Sequence, residues 1–134
     1  VTDRVFVYGT LRRAGRFHAI VAPFVREAVE ARVDGILLDL GAYPGWVEGE
    51  GTVWGEVLLL RRASEALRRL DAFEECFGPD DPRSMYERVE VEALTPAGSV
   101  RAWAYRYRGP AAGRRRVDSG VWGAPEDGGE RRAG

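Results

Sequence analysis

The tetrapeptide Thr95-Pro96-Ala97-Gly98 separates two runs of alternating character, and this arrangement limits the fold more than any other feature of the chain. Before it, Tyr86 to Leu94 sets Glu87, Val89, Val91 and Ala93 on one face and Tyr86, Arg88, Glu90 and Glu92 on the other. After it, Ser99 to Tyr107 sets Val100, Ala102 and Ala104 against Trp103, Tyr105 and Tyr107. Two period-two runs joined by a turn predict an antiparallel hairpin. The aromatic stripe with hydroxyl tips either covers a core or lines a pocket, and the pattern is compatible with both.

Further strands are expected at residues 4–8, 26–40 and 53–60, with Gly35 allowing a bulge in the second and Pro44-Gly45 marking a turn before the third. Residues 14–25, interrupted by Pro23, read as a loop with a short helical turn, and residues 78–84 as a loop. One helix is clear, "SEALRRLDAFEE" from Ser64, with Ser64 as N-cap and Glu65 at the positive helix start. The 134 residues suit one domain with one core. Residues 1–108 are expected to form that domain. From Gly109 the chain is rich in Gly, Pro and charge, so 109–134 is expected to be partly docked through 118–122 and otherwise flexible, with Arg114 to Arg116 as a solvated turn.

Composition narrows the chemistry. The net charge is -1, which asks for no nucleic-acid or acidic-membrane partner. No apolar run is long enough to span a bilayer and the first residues carry no basic-then-apolar segment, so a cytoplasmic location is expected. The single cysteine, Cys76, and single histidine, His18, leave no intrachain disulfide and no Cys- or His-built metal site. No serine sits in a G-x-S-x-G setting, and Cys76 follows two acids, which raise a thiol pKa. His18 reads as a packing or hydrogen-bonding residue near the first loop. Any chemistry must then come from carboxylates, hydroxyls and backbone groups.

Two features stand out. Glu74 lies four residues past Leu70 and seven past Leu67, so helical spacing turns it to the buried side, at the negative end of the helix dipole. Burial and dipole both raise a carboxyl pKa. In "VFVYGTLRR", residues 5–13, an apolar strand ends at Tyr8-Gly9-Thr10-Leu11. That end is either a plain turn or a nest of backbone N–H groups for an anion. Glu56, inside the apolar run from Val53 to Leu60, is either an outward-facing strand residue or a second carboxylate to pair with Glu74, at a distance that the sequence does not define.

The order of these pieces resembles the gamma-glutamylcyclotransferase-like family, including its AIG2-like and gamma-glutamylamine cyclotransferase branches. "VFVYGTLRR" resembles its opening strand and Y-G-[ST]-L loop, and "DGILLDLGAYPG" its second segment. "VWGEVLLL", "LRRLDAFEE", "YERVEVE" with "AWAYRY", and "SGVW" follow in the family's order, covering about residues 4–107 and 119–122. The resemblance implies an α+β fold built on a small mixed β-barrel with flanking helices and a pocket at one mouth. It implies that Glu74 is the catalytic acid-base, that Tyr8, Gly9, Thr10 and Leu11 hold a gamma-glutamyl group, and that Tyr86, Arg88 and Tyr105 lie near the pocket. The implied reaction is cyclisation of a gamma-glutamyl amine or amino acid to 5-oxoproline with release of the amine, without a cofactor. The alternative is a non-catalytic binding module using the same pocket. Two positions depart from the family pattern: Glu75 replaces the glycine that follows the catalytic acid, and Val121 replaces an aspartate.

Overall fold

The computed structural model describes residues 2–74 and 84–123. In chain order its elements are β1 (Arg4–Val7), β2 (Val25–Asp39), β3 (Pro44–Leu60), α1 (Ala63–Phe73), β4 (Tyr86–Thr95), β5 (Gly98–Tyr107) and β6 (Arg115–Arg116), with 3-10 turns at His18–Ile20 and Ala22–Phe24. The hairpin of β4 and β5 pairs Tyr86 with Tyr107 at one end and Thr95 with Gly98 at the other. Thr95 closes it, its hydroxyl donating to the Gly98 carbonyl and accepting from the Ala97 N–H.

Six strands form one mixed sheet with few helices, in the order β1-β3-β5-β4-β2-β6. β1 runs antiparallel to β3 and parallel to β5. Further contacts join β2 to β3 and β2 to β4, the latter through the single pair Arg32–Leu94. Alternation along β1 feeds two apolar clusters. Val5 and Val7 join Leu58, Leu67, Leu70 and Tyr105 beneath α1. Phe6 and Tyr8 join Val57, Ala102, Ala104 and Trp122 on the other side. The aromatic stripe of β5 therefore packs on the first cluster, and its alanines are small because they face the second.

Four local expectations change. Pro44-Gly45 opens β3 instead of forming the turn, which falls on the preceding residues: Leu40 N–H donates to the Tyr43 carbonyl and Asp39 caps the Gly41 N–H. Proline is tolerated as the first residue of a strand, and pairing of Asp39 with Pro44 and Leu38 with Gly45 overrides the local turn signal. β3 consequently begins nine residues before the expected Val53. Helix α1 starts at Ala63, with Arg62 in the left-handed region (φ 49°) as its cap, so Ser64 sits inside the first turn and its hydroxyl does not cap the helix. Arg115 and Arg116 form β6 against Leu38 and Asp39, where Arg115 also pairs with the Asp39 carboxylate at 2.9 Å. The bulge at Gly35 is present, as a register shift between Asp34 and Ile36.

Beyond β6, Val117 and Trp122 are buried in the second cluster, and Gly120 accepts from the Trp54 N–H. Glu75, Cys76 and most of the expected loop 78–84 lie outside the described residues. Among the described residues no helix is long and apolar enough to cross a membrane.

Candidate active site

The end of β1 and the end of α1 open on one cavity of about 380 Å³. Tyr8, Gly9, Thr10 and Leu11 line it, together with Phe73 and Glu74 from the end of α1, Tyr43 and Pro44 from the start of β3, Tyr86 and Tyr105 from the hairpin, and Arg16 and Phe17.

The loop is held from behind. The Gly9 carbonyl accepts from Arg12 Nε at 3.0 Å and from the Arg12 N–H at 3.2 Å. The Thr10 carbonyl accepts from the Phe17 N–H at 2.9 Å. The Leu11 carbonyl takes a hydrogen bond from His18 Nδ1 at 2.8 Å, which fixes the proton on that nitrogen. Among the described residues the N–H groups of Gly9, Thr10 and Leu11 donate to nothing. Three carbonyls are thus taken and three donors left over, the condition that a backbone anion site requires. Gly9 is needed for close approach: a Cβ there would stand 2.7 Å from Pro44 Cγ.

The flanking arginines tie this loop to the body. Arg12 reaches the Trp122 carbonyl with Nη2 at 2.9 Å, and burial lowers its pKa. Arg13 donates its N–H and its Nε to the two oxygens of Glu56. Glu56 is therefore a clamp on the loop, and it is not among the residues that line the cavity. Ser119 in the "SGVW" element accepts from the Val121 N–H, so the valine at the departing position sits in a hydroxyl-capped turn.

Glu74 terminates α1, its N–H donating to the Leu70 carbonyl at 2.8 Å. It keeps some surface open because it lines the cavity, yet protein encloses it closely enough that burial pushes its carboxyl up to about 8. Burial also raises the tyrosines around it, so Tyr8, Tyr86 and Tyr105 stay protonated, with Glu74 adding to the effect at each.

Those hydroxyls are already engaged. Tyr8 Oη donates to the Tyr105 carbonyl and accepts from the Trp46 N–H. Tyr86 Oη donates to the Pro44 carbonyl at 2.7 Å. Tyr105 Oη donates to Asp71 Oδ1 at 2.6 Å. These rings wall the cavity while their polar ends brace strand to strand. Arg88 is not among the lining residues. It closes on Asp71 with Nε and Nη2 and lies over the Trp103 ring, 4.5 Å from its centroid. Of the candidate site residues singled out from the sequence, Tyr8, Gly9, Thr10, Leu11, Glu74, Tyr86 and Tyr105 line the cavity, and Arg88 and Glu56 do not.

Sequence reasoning missed Asp71, Arg16, Phe17, Phe73, Tyr43 and Pro44. For Asp71 a signal existed, since it lies four residues after Leu67 and three before Glu74 on the same helical face. Among the described residues no group of three or more His, Cys, Asp or Glu side chains is arranged to hold a metal ion.

Comparison with known proteins gives this geometry a lineage. Residues 5–124 match the family model described as gamma-glutamyl cyclotransferase, AIG2-like. A gamma-L-glutamyl-butirosin B gamma-glutamyl cyclotransferase of Niallia circulans is 35% identical over 104 residues, 77% of this chain, and the match spans 65% of that longer protein. The gamma-glutamylcyclotransferase family protein YtfP of Escherichia coli K12 is 37% identical over 121 residues, covering 89% of this chain and 95% of that one. The solution structure of protein ytfP from Escherichia coli superimposes with a TM-score of 0.63 at 35% identity, covering 92% of this chain and 98% of that one.

Proposed function

Because the chain belongs to the gamma-glutamyl cyclotransferase, AIG2-like family, we propose that it cyclises a gamma-glutamyl amine or amino acid to 5-oxoproline and releases the amine. In this reading the sheet acts as a small barrel with the cavity at one mouth. The observation that carries it is the meeting of Glu74 with a loop whose carbonyls are occupied and whose N–H groups find no acceptor among the described residues.

The substrate's α-ammonium seats against Glu74 and favours the carboxylate, offsetting the burial that raises its pKa. Glu74 then takes one ammonium proton. The freed nitrogen attacks the gamma carbonyl carbon of the same molecule, forming the ring C–N bond. The N–H groups of Gly9, Thr10 and Leu11 stabilise the oxyanion. Glu74 returns its proton to the leaving nitrogen and takes the second proton from the ring nitrogen. As the oxyanion collapses, the bond to the leaving nitrogen breaks. Glu74 passes that second proton to the departing amine, which leaves as an ammonium beside the neutral lactam. A base with a pKa near working pH suits both halves of this shuttle. Ring closure within one bound molecule draws most of its advantage from proximity. Tyr8, Tyr86 and Tyr105 shape the wall, while Arg88 acts on it through Asp71. All these residues fall within 1–108.

The test is release of 5-oxoproline from a panel of gamma-glutamyl amines, gamma-glutamyl amino acids and gamma-glutamyl-lysine, by the native chain and by Glu74→Gln. Release by the first and loss in the second is the expected result. Equal release by both removes Glu74 from the mechanism, and silence from both, with folded protein, favours a binding module.

A further inference from the structure

Among the described residues two charged side chains line the cavity, Glu74 and Arg16. The proposed cyclisation, on which this inference rests, uses the first and gives the second no part. Arg16 is nevertheless placed by a built turn. A Cβ at Gly15 would collide with the Thr10 carbonyl, so only glycine lets the chain fold back here. The Gly15 N–H donates to the Arg12 carbonyl at 2.7 Å, and Phe17 N–H to the Thr10 carbonyl at 2.9 Å. Arg16 is thereby held beside the substrate loop. Its guanidinium carbon lies 4.8 Å from the centroid of the Phe17 ring. Phe17 packs in turn on Phe73, the residue before Glu74, with centroids 5.4 Å apart.

Arg16 is exposed, and Phe17 and Tyr43 are each 37% exposed, so these three form the outer rim of the cavity. Among the described residues Arg16 forms no ion pair. A gamma-glutamyl compound whose ammonium meets Glu74 and whose gamma carbonyl meets the loop directs its leaving half outward. We infer that Arg16 reads that half: it takes a carboxylate carried by the departing amine, so gamma-glutamyl amino acids are preferred over gamma-glutamyl amines with neutral or cationic leaving groups. A guanidinium presents a planar fork of donors that matches a carboxylate. The same charge at the rim repels a cationic leaving group, which supplies the other half of the discrimination.

The experiment compares gamma-glutamyl-alanine with gamma-glutamyl-ethylamine, which differ by one carboxylate in the leaving half. Native protein is expected to favour the alanine compound in kcat/KM by about tenfold, the size of one charge-assisted hydrogen bond discounted for solvent screening. Arg16→Gln should collapse that ratio, Arg16→Lys should keep part of it, and Arg16→Glu should invert the preference between gamma-glutamyl-alanine and mono-gamma-glutamyl-ethylenediamine, whose leaving half carries an ammonium and no carboxylate. A loss in Arg16→Gln shared equally by both substrates overturns the inference, since Arg16 would then serve the glutamyl half common to them. A native ratio near one overturns it as well. If neither compound is turned over, the cyclisation reading fails by itself. The same pair is then compared as ligands by calorimetry: tighter binding of the alanine compound that Arg16→Gln abolishes supports the inference, and equal binding overturns it.

Discussion

The Tyr105 hydroxyl donates to Asp71 Oδ1 across 2.6 Å, and this one contact joins the wall of the cavity to the helix that carries Glu74. Arg88 grips the same carboxylate at 2.9 and 3.2 Å from β4. The end of α1 is thus braced against both strands of the hairpin one turn before Glu74. Asp71→Asn leaves an acceptor for Tyr105 but removes the charge partner of Arg88. Arg88 and Asp71 are only about a quarter exposed, so the pair is screened less than a surface bridge. The expected loss is about 1–3 kcal/mol of stability, with kcat falling severalfold as the base loses its fixed position. Urea unfolding read beside turnover checks this. An unchanged unfolding midpoint would show the brace to be idle.

Glu74 makes stability depend on pH in a definite direction. Its carboxyl is raised from 4.5 to about 8, so between those values the folded chain keeps a proton that the unfolded chain has lost. Stability is therefore fullest below 4.5 and falls as pH rises through about 8, by at most ~1.4 kcal/mol per pH unit from this group. Glu74→Gln cannot ionise and should lack this slope, overtaking the native chain in denaturant resistance at pH 8. In activity, the acid limb of kcat/KM should lie near 8, because it reports the free protein. The limb of kcat should lie lower, because the bound ammonium favours the carboxylate. Coincident limbs would argue that no ammonium meets Glu74.

How far these features are legible in the sequence depends on whether the cause is local. Glu74 can be found because helical spacing from Leu67 and Leu70 turns it inward without reference to the rest of the chain. The β4–β5 hairpin is legible for a similar reason, since alternation and turn lie side by side. Pro44-Gly45 misleads because pairing with Leu38 and Asp39 overrides the local turn preference. Arg88 misleads differently: alternation assigns it to the face of Tyr86, but its partner, Asp71, sits on α1, and strand periodicity says nothing of that. The rim is built from two segments, Arg16 with Phe17 in one and Tyr43 in the other, which meet only when the chain is folded.

Gly9 offers a test of the loop itself. Its missing side chain lets the loop pass under Pro44, whose ring carbons Cγ and Cδ would stand 2.7 and 3.0 Å from an added Cβ. The proline ring is stiff, so Gly9→Ala should displace the loop rather than the ring. The expected cost is about 1–3 kcal/mol, together with a raised KM and a lowered kcat as the N–H groups leave their positions. Thermal denaturation and steady-state kinetics measure the two effects. A fully active and fully stable Gly9→Ala protein would mean that the loop accommodates the methyl without moving its donors.

Glu56 separates a one-carboxylate mechanism from a paired one. Its two oxygens accept from the N–H and Nε of Arg13, and it does not line the cavity. Glu56→Gln preserves an oxygen for the Arg13 N–H, so 5-oxoproline release should stay within about threefold of the native rate, with a small loss of stability of roughly 0.5–1.5 kcal/mol. Glu56→Ala removes both acceptors and should loosen the loop, raising KM more than it lowers kcat. A pair of catalytic carboxylates requires the opposite outcome. There Glu56→Gln would be as inactive as Glu74→Gln, since an amide can neither take nor return a proton.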